Sequence, residues 1–320
     1  TPETNDNRQP TETSETQTPS NAIKQTKITN IQPTNSTNNA SDQPSPTTNN
    51  EYGNLDITKW QGKLNYDNSY ELTNYTGDTS HVIVPNLNDL TNIDAKSINI
   101  DPKILFDLTQ NGMETLQISH TPGKQNDKVG VYESAETGYL RSAFGGTVST
   151  TSNKPVYNPA ISLDATKPSY IYNTNNTDFG SKLTAMDLGN LDVSNIQNFD
   201  GMFAGLCNLQ TLSGLNNWNT ANGTNFTSMF ESARKLITLN LSNWNTAKAT
   251  TMNGMFRDMT NLQTLGDLSG WNTTNVTDMA NLFYNDENLT DHNFINQWNV
   301  ENVKSISGMF ANNKKLTSLD

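Results

Sequence analysis

The chain has 320 residues, of which 16% are charged and 32% hydrophobic, both low for a compact globule; Asn, Thr and Ser fill the difference. A net charge of −12 argues against nucleic acid and against anionic membrane surfaces, since both need basic patches. One cysteine, Cys207, excludes an intrachain disulfide and any cysteine-based zinc site, and no apolar run approaches the roughly 18 residues of a membrane span. Cys207 is expected to be a small buried hydrophobe, because a thiol nucleophile wants a neighbouring base and no histidine lies near it in sequence. The chain starts without Met or a signal peptide and ends inside a repeat, so a mature fragment is expected, with any secretion signal or anchor outside it.

Residues 1–50 are Thr, Asn, Ser, Pro and Gln with few apolar side chains. Such a segment cannot bury enough surface to offset chain entropy, so it reads as a disordered linker. Residues 51–182 read as a mixed, mainly β region. "KWQGKLNYDNSYELTNY" and "SHVIVPNL" have strand patterns, with Thr76-Gly77-Asp78 as a turn. "DPKILFDLTQNG" carries helix punctuation: Asp101 as N-cap, Pro102 at the first helical position and Gly112 at the stop. "METLQIS" returns to a strand, and the turn formers of 121–181 predict long loops.

From Leu183 a repeat takes over. Anchored on Leu191, Trp218, Trp244, Trp271 and Trp298, its steps are 27, 26, 27 and 27 residues. Twelve residues after each anchor stand Phe203, Phe230, Phe256, Phe283 and Phe310, preceded by Met202, Met229, Met255, Leu282 and Met309. Leucines recur eighteen residues after the anchor (Leu209, Leu236, Leu262, Leu289, Leu316), and an aliphatic residue three before it (Leu188, Leu215, Leu241, Leu268, Ile295). "LITLNLS" alternates like a short strand, whereas Val276, Met279 and Leu282/Phe283 have helical spacing and predict a short helix or helical turn. A unit this short cannot bury two faces alone, so the α/β units are expected to stack as a solenoid over 183–320, with 51–182 as its N-terminal cap. Met113, Leu116 and Ile118 already keep the spacing of Leu183, Met186 and Leu188. No cap follows Leu319, so further rungs are expected in the intact protein.

The unit L-x-x-L-x-L-S-x-W-N-T, followed by M-x-x-M-F and a leucine, resembles the leucine-rich repeat of BspA-like surface proteins, an adhesin type found in lactic acid bacteria. The resemblance is close over 183–320 and loose over 55–182. It implies a leucine-rich-repeat solenoid of 26–27-residue rungs, secreted and attached to the bacterial cell wall, that adheres to host or environmental polymers. The chain departs from the pattern at Leu191-Asp192-Val193, at Val300 and at Gly223, and the anchor motif of the family is absent.

Catalytic constellations are missing from the pattern: His81, His120 and His292 are scattered, and no nucleophile elbow, phosphate loop or dinucleotide fingerprint occurs. A paired-carboxylate glycosidase leaves no local signature, but the plentiful acids read first as solvated surface, so a non-enzyme without cofactor or metal is expected. Asp286, Glu287 and Asp291 are the weak candidates for a calcium site.

Trp218, Trp244, Trp271 and Trp298 are either one core ring per rung or a row of exposed rings for sugars. Leu191 in the same column favours the core, since Leu replaces a buried Trp more naturally than a stacking one. The column Asp192, Asn219, Asn245, Asn272 and Asn299 suggests an amide ladder for buried backbone, and the Met/Phe column suggests core. Ligand contact then falls on the variable strand-face positions Asp187, Asn216, Asn240, Ser242, Asp267, Ser269 and Asn296. Small amides, hydroxyls and carboxylates suit a polyhydroxylated polymer better than an apolar protein interface. The function expected is a non-catalytic extracellular adhesin for polysaccharide or glycan, of mucin or pectin type, binding an acidic ligand more strongly at acidic pH; the alternative is an adhesin for host matrix or epithelial receptor proteins.

Overall fold

The computed structural model describes residues 24–27, 51–131, 144, 182–290 and 292–319. Within them the chain is a mixed α/β structure built on parallel sheets with few helices. Ten strands are named in chain order: β1 (Lys24–Lys27), β2 (Trp60–Leu64), β3 (Ser69–Tyr75), β4 (His81–Val84), β5 (Ser97–Ile100), β6 (Thr115–Ile118), β7 (Val129–Val131), β8 (Ala185–Asp187), β9 (Leu191–Asp192) and β10 (Thr211–Ser213). One α-helix, α1 (Pro102–Gln110), lies between β5 and β6.

One sheet has the order β1-β2-β3-β5-β7-β9 and the other β10-β8-β6-β4. From β3 onward the chain therefore alternates between sheets, adding a strand to each in turn. Pairing is antiparallel at β1–β2 and β2–β3 and parallel at every later step. Strand alternation turns Tyr70, Leu72, Ile98, Ile100 and Val129 of the first sheet into the core, together with Val82, Val84, Leu116, Ile118 and Met186 of the second. Asp101 caps α1 by accepting the Lys103 N–H at 2.8 Å, and Gly112 takes φ +92° just past its end.

Both sheets run across the expected boundary at 182/183: β6 pairs with β8, Leu116 opposite Met186, and β7 pairs with β9. Strands β5 and β7 have no counterpart in the sequence-based reading. Of the segment 1–50, expected to lack structure, residues 24–27 cover the free edge of β2; its other residues lie outside the described set, as do those of the expected 121–181 loop except 121–131 and Phe144.

Successive copies of the repeat are joined in parallel through bridges Asn198–Asn225, Asn225–Thr251, Thr251–Asp278 and Asp278–Ser305, offsets of 27, 26, 27 and 27 residues. Of the short helix or helical turn expected for the Met/Phe segment, the structure has no α-helix: Asp278 forms a bridge and 280–283 are turns. Every second N–H leaves its own copy. Met252, Gly254, Phe256 and Asp258 donate to the carbonyls of Asp278, Ala280, Leu282 and Tyr284 in the next one. Two positions per copy hold positive φ and break any α-helix, one filled by Gly201, Ser228, Gly254, Asn281 and Gly308, the other by Gly205, Ser232, Asp258, Asn285 and Asn312. An apolar spacing of three and four is thus met by stacked turns as well as by a helix.

Candidate functional site

Trp218, Trp244 and Trp271 are 3% exposed and Trp298 7%. Successive indoles lie 6.0–6.2 Å apart with planes within 7°. Each Nε1–H donates to a carbonyl one copy back, of Leu188, Leu215, Leu241 and Leu268 in turn, at 2.8–3.1 Å. The indoles face the core, where a Trp N–H needs such a partner. Phe203, Phe230, Phe256, Phe283 and Phe310 form a second stack with centroids 5.3–5.8 Å apart, which Phe144 extends at 5.3 Å from Phe203. Cys207 is buried, its thiol donating to the Ser232 carbonyl at 3.3 Å.

The Asn column beside the Trp does not form the expected buried ladder. Asn219, Asn245, Asn272 and Asn299 each cap their own turn, accepting the N–H two residues on at 2.9–3.2 Å, and Asp192 does the same at 2.9 Å. The copy-to-copy bond comes from the next residue: buried Thr220, Thr246 and Thr273 donate Oγ1–H to the carbonyls of Asn245, Asn272 and Asn299.

Of the seven candidate ligand residues, only Asp187 stands on a strand. Asn216 and Asn296 belong to short 3-10 turns, Leu215–Asn217 and Asn293–Gln297. Ser242 and Ser269 occupy turns and bond their neighbours: Asn240 Oδ1 accepts the Ser242 hydroxyl at 2.7 Å, and Asp267 Oδ1 accepts the Ser269 N–H at 2.9 Å. The Ser269 hydroxyl and N–H hold the Asp267 carboxyl below its usual range. Asn296 lines an open depression with Trp298, Val300, Ile306 and Phe310. The strands are at most three residues long in these copies, so positions near the anchor fall on turns.

Counting back from the anchor also misaligns the strand face. Asp187 pairs with Ser213, since the second copy carries an extra residue, Gly214, at φ +85° before its Trp. The fourth copy repeats this: Thr238 bridges Thr264, and Gly266, at φ +77°, lies against Asn240 in place of Asp267. The exposed residues of this face are Thr211, Ser213, Thr238, Asn240, Thr264 and Gly266.

Around Asp187 the structure gathers side chains of which only Gln117 follows from the repeat spacing, which aligns Leu116 with Met186. Asp187 Oδ2 accepts from His120 Nε2 at 2.8 Å and from Gln117 Nε2 at 3.2 Å, and Oδ1 accepts the Gly189 N–H at 3.2 Å. Gln117 faces Asp187 across β6–β8. Tyr52, 135 residues away in sequence, lies beside Ser213. Its burial, with the Glu51 and Asp187 carboxylates nearby, pushes its phenol up to about 12. The segment holding Tyr52 also passes β4, with Gly53 against the His81 Cβ.

Asp286, one of the calcium candidates, is fully buried, and Asp291 lies outside the described residues. Among the described residues no group of three or more His, Cys, Asp or Glu could hold a metal ion, and no helix is long and apolar enough to cross a membrane.

Residues 173–266 and 260–319, less than half of the chain together, match the family described as Mycoplasma protein of unknown function, DUF285. The comparison with curated proteins returned no match. Among solved structures, a leucine rich cell surface protein from Faecalibacterium prausnitzii A2-165 is similar at 15% identity and a TM-score of 0.37, over 78% of this chain and 54% of that one. The chain thus spans about half the length of that protein.

Proposed function

We propose that the chain is a non-catalytic adhesive module of the extracellular surface, binding a polysaccharide or glycan of mucin or pectin type. In this reading the copies form a leucine-rich-repeat solenoid of 26–27-residue rungs, held at a cell wall through a region outside the chain. The observation that carries the reading is the division of labour within each copy. Its aromatic and Met columns are packed inside, while Thr211, Ser213, Thr238, Asn240 and Thr264 face solvent. These five side chains offer hydroxyls and amides, and none of them is a Trp, Tyr or Arg anchor of the kind that dominates protein interfaces. Individually weak contacts gain avidity by repetition along the stack.

The test is a glycan array with polysaccharide pull-down at neutral and acidic pH. Retention of at least one polysaccharide is expected, and an acidic polymer would bind better as pH falls towards about 4, where carboxylates neutralise. If none is retained at either pH, the reading fails. A second reading, adhesion to a host matrix or receptor protein, draws on the exposed Val300 and Ile306 beside Trp298. Binding that survives glycosidase treatment of the target and is lost on protease treatment favours it.

A further inference from the structure

We propose that Tyr52, Gln117, His120, Asp187 and Ser213 form a subsite for one pyranose ring of a neutral polysaccharide, an assignment that rests on the glycan reading above. The patch combines a pinned carboxylate with two rings. Three protein donors fix Asp187, two on Oδ2 and one on Oδ1. An ionised carboxylate has about four acceptor positions, so one is left for a sugar hydroxyl. His120 is 46% exposed along its side chain, and its Nε2 bond to Asp187 orients the ring while Nδ1 remains as a second polar atom. The Tyr52 phenol lies beside Ser213 of β10.

Beside the His120 ring two backbone turns pack against each other, with Gly189 buried between them. A Cβ on Gly189 would meet His120 Cε1, Gly214 Cα and Asn217 Nδ2, each at 3.4 Å, and a Cβ on Gly214 would fall 2.3 Å from Gly189 Cα. A pyranose has an apolar face and a rim of hydroxyls, so it fits a place where the exposed His120 ring adjoins a fixed acceptor. Charge selects the neutral class. Glu51 and Asp187 both act on Tyr52, and the nearby cation, Lys128, is committed to the carbonyl of Gly189 at 2.7 Å and to Asn190 Oδ1 at 3.3 Å. A uronic acid would bring a third carboxylate to this patch, where Lys128 is already engaged.

Calorimetric titration of the full chain with gluco-, manno- and galacto-hexaoses and with hexagalacturonate tests the assignment. At least one neutral hexaose should bind, and Tyr52→Ala and Asp187→Asn should each weaken it about tenfold or more, the loss of one charged hydrogen bond or one stacked ring. Tyr52→Phe should retain most of the affinity, and Asp267→Ala all of it. Thermal midpoints establish that the variants are folded. Should they not fold, the bound hexaose must protect Tyr52 of the unaltered protein from nitration, read by mass spectrometry; no protection overturns the subsite. Tighter binding of hexagalacturonate, or unchanged affinity in folded Tyr52→Ala and Asp187→Asn, overturns the subsite and leaves the glycan reading standing. If no oligosaccharide and no polysaccharide binds the unaltered protein, both fall together.

Discussion

The indole Nε1 of Trp244 donates to the carbonyl oxygen of Leu215, 2.8 Å away and one copy back in the stack. The ring is also stacked between Trp218 and Trp271 at 6.2 Å on either side. Its removal leaves a cavity and takes from the Leu215 carbonyl one of its two donors, the other being the Trp218 N–H at 3.1 Å. Trp244→Ala should cost about 3–5 kcal/mol, and Trp244→Phe less, because the ring is kept and only the Leu215 bond is lost. Denaturant midpoints measure both; an alanine variant as stable as the parent would show that the column does not hold the stack.

Gly254 adopts φ +60°, yet an added Cβ would meet Ser228 Oγ at 3.5 Å and Arg257 Cβ and Cδ at 3.7 and 3.9 Å, all ordinary contacts. Gly254→Ala therefore isolates backbone strain and should cost about 1–2 kcal/mol. Asn281 fills the equivalent place one copy on, at φ +55°, and Asn281→Gly should change stability by no more than about 0.5 kcal/mol. Equal losses in urea midpoint for the two would contradict the assignment of strain to this position.

Thr246 is buried and bridges two copies through its hydroxyl, 3.0 Å from the Asn272 carbonyl. Thr246→Val keeps the shape and leaves that carbonyl without its donor, at a cost of about 1–2 kcal/mol. Thr246→Ser restores the hydroxyl and should recover part of the loss, measured by the same unfolding curves. Recovery is the informative outcome, since Val stands in this column at Val193 and Val300 without a hydroxyl to offer.

Asp286 occupies the place held by Leu206, Ala233 and Met259 in earlier copies and is fully buried. Its Oδ1 accepts the Met259 N–H at 2.9 Å, while Oδ2 finds no hydrogen-bond partner among the described residues. Burial, with Asp258 nearby, raises its carboxyl well above the ordinary 3.8, against the opposing bond from Met259. Because the folded-state value is raised, the folded chain holds a proton that the unfolded chain has released. Stability from this group is complete below pH 3.8 and declines as pH rises from there through the folded value. Asp286→Asn keeps the acceptor for Met259 and removes the ionisation. It should raise the thermal midpoint at pH 7–8, flatten its fall with pH, and change little at pH 4. An identical pH profile for the two proteins would refute a buried, protonated Asp286.

The primary sequence by itself determined the period, the aromatic and leucine columns, and helix α1 with its cap, because each depends on local spacing or a local bond. The same period sets Asp286 in the column of Leu206, Ala233 and Met259. Helix and stacked turn share an apolar spacing of three and four, so only the tertiary structure decided between them: the alternate N–H groups of 252–258 bond to the next copy and not to their own. The signal lay in the recurrent Gly201, Gly254 and Gly308, a spacing that suits positive φ and not a helix interior. Strand alignment likewise required the structure, since Gly214 and Gly266 shift the face by one residue against the Trp anchor, and a period of two turns such a slip into a change of side. The patch at Asp187 was legible only in Asp187 and, through the repeat spacing, Gln117. Gln117 and His120 come to it from β6 and the residues just after it, and Tyr52 from a crossing segment, and contacts over such sequence separations are set by how sheets pair.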